Sequence, residues 1–211
     1  DGTTTVSSSD LVTNDTTSGE TLAFSGSGTV SSANVQNNQS ITLGSIAIAD
    51  GSGGGLASNY NLTTGTFDIS QKWVSVSGQK IYDATTTVSS SDLNVTGEVT
   101  GESISISGTG SVTDKNVGSG KTINISGLSL SDGSHSASNY TIGTTSFAIT
   151  RRNLSISGEK VYDGTGTVLA SQIDAVNTAG GETLTISGEG SVSLPSVGTN
   201  KSITLNTLGI S

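Results

Sequence analysis

Two short segments place chemistry-bearing side chains together more than once. Lys80 precedes Tyr82-Asp83, and Lys160 precedes Tyr162-Asp163. A lysine near an acidic acceptor suggests an intramolecular amide crosslink, which also needs a catalytic acid buried beside it. The first part of the chain has no matching lysine, and the short alternating context places Lys80 and Lys160 toward solvent. The aspartates have a structural reading instead. Asp before Gly or Ala closes a turn with its own side chain, and Tyr packs its ring while its hydroxyl finds a partner. Asp50-Gly51-Ser52-Gly53 and Asp132-Gly133-Ser134-His135 have the look of calcium loops. Each offers one carboxylate where calcium takes several converging oxygens, so turn chemistry is the expectation. His135 is the only histidine and has no repeated partner. Ser27 and Ser119 lie in Gly-Ser-Gly segments without a strand-to-helix elbow or a full phosphate loop. No carboxylate pair recurs with a helper base, so the expectation is no catalytic residue, no metal site and no cofactor.

The elements that must position these residues follow from composition and periodicity. The chain has 211 residues, 8 Lys+Arg against 17 Asp+Glu, a net charge of −9, 29 Gly, one Pro, one Trp, and no Cys or Met. Ser and Thr make up about a third of it, and Gly brings the share to nearly half, far above ordinary usage. Without Cys there is no disulfide scaffold and no thiolate-bound zinc. So few bases leave no nucleic-acid footprint. No apolar run is long enough for a membrane helix. The opening residues from Asp1 lack the form of a signal peptide.

A Ser/Thr/Gly-rich chain suggests a linker, but the apolar residues alternate. Ser103-Ile104-Ser105-Ile106-Ser107, Trp73-Val74-Ser75-Val76-Ser77 and Leu154-Ser155-Ile156-Ser157 each put one face apolar and the other hydroxyl-bearing. β-Branched residues suit that pleated surface. The Ser-Gly-x-Gly segments at 25–28, 107–110 and 187–190 read as hairpin turns. Ser90-Ser91-Asp92-Leu93 and Ser171-Gln172-Ile173-Asp174 read as single helical turns. The fold class is all-β.

An internal repeat organises these strands. Asp1, Asp83 and Asp163 are 82 and then 80 residues apart. Thr3–Leu11 matches Thr85–Leu93 and, more loosely, Thr165–Val168. Gly19-Glu20, Gly101-Glu102 and Gly181-Glu182 correspond, as do Asn34-Val35, Asn116-Val117 and Ser196-Val197. Ala57-Ser58-Asn59-Tyr60 returns as Ala137-Ser138-Asn139-Tyr140, read as a Tyr-bearing strand. A unit of about 80 residues is too long for a solenoid coil and right for a small sandwich. The expected units are 1–70, lacking its first strand; 71–150, complete; and 151–211, lacking its last strands. The ragged ends read as a window on a longer fibre.

The anchors Lys80-Ile81-Tyr82-Asp83, Lys160-Val161-Tyr162-Asp163-Gly164, Asp114-Lys115-Asn116-Val117-Gly118 and the Ala-Ser-Asn-Tyr segments carry a family look. The chain resembles the YDG-type repeat found in arrays in secreted bacterial adhesins, including filamentous-haemagglutinin-like and other giant surface proteins. The resemblance covers nearly the whole chain. It departs at Tyr82-Asp83-Ala84, and at Ser32-Ala33-Asn34 and Leu194-Pro195-Ser196. It implies a stalk or fibre role at the bacterial cell surface, with reach, attachment between cells or biofilm formation, and no catalysis. A glycan- or matrix-binding module is the alternative.

Tandem Ig-like sandwiches forming a stiff rod are the expected architecture, with a β-grasp-like unit or a strand-complemented fibre as alternatives. The structural anchors are Tyr60, Tyr82, Asp83, Tyr140, Tyr162 and Asp163. Gln71, Lys72, Trp73, Arg151 and Arg152 mark the domain junctions, with Trp73 packing at the boundary. The expected partners are neighbouring repeats and other copies of the chain, with no nucleic acid and no membrane insertion.

Overall fold

A computed structural model describes residues 1–13, 16–17 and 19–210. Asn14, Asp15, Ser18 and Ser211 lie outside the described residues, the last of them closing the third expected unit. The protein is all-β. Among the described residues the strands are joined by loops and by five helical turns of three residues each, and no described helix is long and apolar enough to cross a membrane.

The described residues form two compact units. One holds residues 1–76, 94–108 and 128–145, the other 77–93, 109–127 and 146–211. The units do not follow the repeat boundaries, because the middle repeat contributes to both.

In the first unit, Thr5–Ser7 pairs antiparallel with Ser27–Thr29, Leu22–Ser25 with Ala47–Asp50, and Gln36–Ser40 with Thr66–Ile69. Val6, Val30, Ile41 and Ile46 form a core, against which Phe24, Leu43, Phe67 and Ile69 pack. A second cluster joins Val74, Ile104 and Tyr140 with Val95 and Leu130. Alternation is the reason: Val74 and Val76 are buried while Trp73, Ser75 and Ser77 face out.

In the second unit, Ser155–Gly158 pairs with Ile173–Val176. Thr167–Leu169, Glu189–Val192 and Ile203–Thr204 make a three-stranded sheet. Residues 118 and 121 pair with 149 and 147, across an irregular register. Phe147 and Ile149 are each only 1% exposed.

The Ser-Gly-x-Gly segments are not hairpin turns, contrary to expectation. The strand Ile104–Ser111 runs straight through Gly108, pairing with Leu128–Asp132 through its first five residues and with Thr87–Ser89 through its last three. The chain changes sheets at a glycine. The same switch sits at Gly26, between Leu22–Ser25 and Ser27–Thr29, and at Gly188, between Ile186–Ser187 and Glu189–Val192. Their φ values are +94°, +79° and +86°, a region side chains avoid. A Cβ on Gly26 would lie 2.1 Å from the Ser45 carbonyl oxygen, and one on Gly188 2.2 Å from that of Thr207.

The expected helical turns are present at Ser90–Asp92 and Ala170–Gln172, and a third is at Ser8–Asp10. The Ser89 hydroxyl accepts from the Ser91 N–H, and the Gln172 side chain accepts from the Leu169 N–H. Ala57–Asn59 and Ala137–Asn139 are also helical turns, so in the middle repeat the Tyr-bearing strand starts three residues later than expected, at Tyr140.

Candidate functional site

The Tyr-Asp anchors lie in a lysine-centred knot that is built twice. Asp83 Oδ1 accepts from the Thr85 N–H and hydroxyl, which closes the turn. Lys80 Nζ donates to the Asp83 carboxylate, the Thr85 hydroxyl and the carbonyls of Thr85 and Thr87. Lys160 repeats this set with Asp163, Thr165 and Thr167. Asp1 closes the matching turn in the first repeat through the Thr3 N–H and hydroxyl. Lys80 is buried, not solvent-facing as its context suggested. It sits in phase with Val74 and Val76, so the pleat turns it inward. The ammonium is tolerated there because it is paired and every donor has an acceptor.

Burial opposes ionisation of Asp83, but hydrogen bonds from Lys80 and Thr85 outweigh it and hold the carboxyl below its ordinary range. For Asp163 the Lys160 hydrogen bond leads, followed by those of Thr165, and brings it down to about 2. These are structural carboxylates, and the geometry gives neither a free acid nor a ligand cluster. Among the described residues no group of three or more His, Cys, Asp or Glu is placed to hold a metal ion. Asp50 and Asp132 instead cap the next helical turn, accepting from the N–H of Ala57 at 2.8 Å and of Ala137 at 2.7 Å.

The tyrosines of the Ser-Asn-Tyr segments tie down the Gly-Glu loops. Tyr60 donates to Glu20 at 2.5 Å and accepts from the Thr17 N–H at 3.2 Å. Tyr140, 3% exposed, donates to Glu102 and accepts from the Val99 N–H. Burial and the Glu102 hydrogen bond hold the Tyr140 phenol above its ordinary pKa. The glutamates recur in the sequence as Gly-Glu, a signal to which sequence reasoning assigned no role.

Consecutive repeats meet at these same loops. Gly2 of the first repeat lies against the middle repeat, where a Cβ would come within 3.0 Å of Glu102 Oε1 and Val99 Cγ1. One repeat on, Tyr82 donates to Glu182 at 2.5 Å, and a Cβ on Gly180 would lie 2.7 Å from Ala84 Cβ. Lys115 Nζ bonds Glu182 at 2.8 Å and lies 6.0 Å from the centre of the Tyr82 ring. Hydrogen bonds from Lys115 and then Tyr82 lower the Glu182 pKa, while the bond to Glu182 raises that of Tyr82. Asn139 adds a second contact from the middle repeat to the first, accepting from the Val35 N–H and donating to Asn34 Oδ1, both at 2.9 Å.

The loop following each sheet switch varies in matched pairs. Asp114 is held by Lys121 at 2.8 Å, and that bond and the Asn116 N–H lower its pKa. In the first repeat the same positions are Ser32 and Gln39, and buried Gln39 accepts from the Ser32 N–H and the Ser31 hydroxyl.

The remaining junction residues are placed variously. Gln71 donates to the carbonyls of Ser138 and Tyr140, and Arg152 to Asn177. Lys72 and Arg151 are exposed. Trp73 is 74% exposed, with its ring edge over Gly143, rather than packed away. Tyr162 is 62% exposed, unlike the half-buried Tyr82.

The fold and the twice-built knot define an all-β protein of tandem repeats. The YDG domain matches residues 70–147 and again 150–211, and the chain belongs to the YDG domain family. No curated protein matches the chain, and no solved structure does.

Proposed function

We propose that the chain is a structural stalk or fibre segment of a secreted bacterial surface adhesin, non-catalytic, with residues 1–70, 71–150 and 151–211 as successive repeats. The observation that carries this is a junction seen twice: the residue after the repeat's aspartate lies against the Gly-Glu loop of the next repeat, Gly2 beside Glu102 and Ala84 beside Gly180. A junction that uses the same positions each time propagates along an array. Side-chain bonds across it, in place of a flexible linker, favour a stiff rod. Within each repeat we favour an Ig-like sandwich over a β-grasp, since the described helical turns have only three residues each. The hydroxyl-rich outer faces with a mild acidic excess keep such a rod hydrated. Neighbouring repeats are then its first partners, and other copies its lateral ones. Small-angle scattering on the 211-residue chain tests this: an elongated profile is expected, and a compact globule rejects the rod.

A glycan- or matrix-binding role is the second reading, and the exposed Trp73 favours it. An indole open to solvent beside a glycine offers a stacking face. Binding on a glycan array that is lost in Trp73→Ala, with the melting curve unchanged, would support this reading over the purely mechanical one.

A further inference from the structure

Among the described residues the middle repeat has four edge strands, Thr87–Ser89, Leu93–Thr96, Gly118–Lys121 and Leu128–Asp132. An edge offers its unpaired backbone groups to another chain unless something blunts it. Three of the four are blunted. The Val112 N–H bonds the Thr86 carbonyl, so the Thr87 carbonyl points away from its partner strand. Lys80 Nζ donates to that carbonyl and to the carbonyl of Thr85. Gly118–Lys121 pairs in an irregular register and carries Lys121. Leu93–Thr96 stops after four residues at Gly97, whose φ is +99°.

Leu128–Asp132 has none of these devices. Its five residues pair in unbroken register with Ile104–Gly108, and no Lys, Pro or Gly lies among them. The Thr109 N–H, which bonds the Gly127 carbonyl directly opposite, fixes the phase of this ladder. Bonded pairs alternate along antiparallel strands, so Ser129 and Ser131 bond inward. The N–H and C=O groups of Leu128, Leu130 and Asp132 therefore point outward, and among the described residues no strand meets them. The Leu128 and Leu130 side chains are half-buried, with Leu130 against the cluster of Val74, Ile104 and Tyr140. The matching edge of the first repeat, Ala47–Asp50, is shorter, and its one half-buried side chain is Ile48.

We propose that Leu128–Asp132 is a self-association edge whose occupant is the same strand of a second copy. The two strands lie antiparallel about a two-fold axis at Leu130, with Leu128 opposite Asp132 and Ser129 opposite Ser131 of the other copy. The strand is self-complementary in this register. The outward backbone groups of 128, 130 and 132 meet one another, and main-chain hydrogen bonds extend the sheet. The leucine face continues across the axis, and no like charges stand opposite. The stalk reading supplies only the use of such a contact, which is to join stalks side by side.

The test is sedimentation of the 211-residue chain, at up to about a millimolar because a contact this short is weak. Reversible dimers are expected, with amide exchange at Leu130 slowing as concentration rises. Ser129→Lys combined with Ser131→Lys puts lysine opposite lysine twice and should weaken association about tenfold or more. The same two positions changed to Glu should do likewise. An equimolar mixture of the two variants should associate at least as well as the unchanged chain, and unchanged melting curves show that each variant folds. A chain that stays monomeric, dimers indifferent to the lysines, or a mixture that stays monomeric would each overturn the proposal. An elongated scattering profile would survive all three outcomes, and a compact one would reject the rod without touching the dimer.

Discussion

Tyr82 and Glu182 stand 100 residues apart in the chain, yet the phenol of one donates to the carboxylate of the other at 2.5 Å. This bond joins the Tyr-Asp anchor of the middle repeat to the Gly-Glu loop of the third. Glu20 and Glu102 receive instead the tyrosine of their own repeat, Tyr60 and Tyr140. The glutamate at this position is therefore a general acceptor for phenols, from within a repeat or across a junction.

Removing that phenol reports on the junction. Lys115 is the leading cause of the low Glu182 pKa and Tyr82 the next. Tyr82→Phe should raise the Glu182 pKa part of the way to its ordinary value, and Lys115→Met should raise it further. Carboxyl carbon titration by NMR measures both; a Glu182 unmoved by either change would show that the contacts are not populated in solution.

The two lysine knots should differ in worth. The Lys80 side chain is 7% exposed and that of Lys160 15%. Lys80→Met strands the Thr85 and Thr87 carbonyls in a more enclosed site. A loss of about 2 kcal/mol is expected, in keeping with hydrogen bonds to charged groups. Lys160→Met should cost less. Urea unfolding of both variants checks the order, and a reversed order would refute the burial argument.

Acid should loosen the third-repeat knot late. Asp163 is lowered from 3.8 to about 2 in the folded chain. A depressed carboxylate contributes stability that is fully present above its unfolded pKa and is lost as pH falls through the folded one. Its contribution is thus intact at pH 5 and declines from 3.8 toward about 2. Thr165 amide exchange followed from pH 5 downward should accelerate only in that window. Asp163→Asn, which cannot titrate, should remove the dependence.

Glycine at the sheet switch should be irreplaceable. Gly26→Ala combines a φ of +79° with a Cβ 2.1 Å from the Ser45 carbonyl oxygen. A penalty of about 2 kcal/mol or more is expected from the strained backbone and the clash. Gly65→Ala meets nothing within 4 Å and has an ordinary φ, so it should change stability by no more than about 0.5 kcal/mol. Parallel melting curves decide, and similar losses at the two sites would mean that the switch tolerates side chains.

Period-two alternation and the internal repeat were enough to define an all-β chain, the turns closed by Asp83 and Asp163, and the equivalence of Tyr60 with Tyr140. Those features are local or self-referential, so one dimension holds them. Parity along the strand even carried more than was read from it: Trp73 shares the outward phase of Ser75, and Lys80 the inward phase of Val76. Tertiary structure decided the rest. Only the meeting of distant strands shows that Gly108 passes one strand between two partners, because a glycine at positive φ looks the same in sequence whether it turns the chain or kinks it. Only packing assigns Glu182 to Tyr82 and Lys115, since a hydrogen bond depends on positions in space that a spacing of 100 residues does not encode. The sequence by itself determined what each repeat is made of; the tertiary structure decided which side chains of one repeat hold the next.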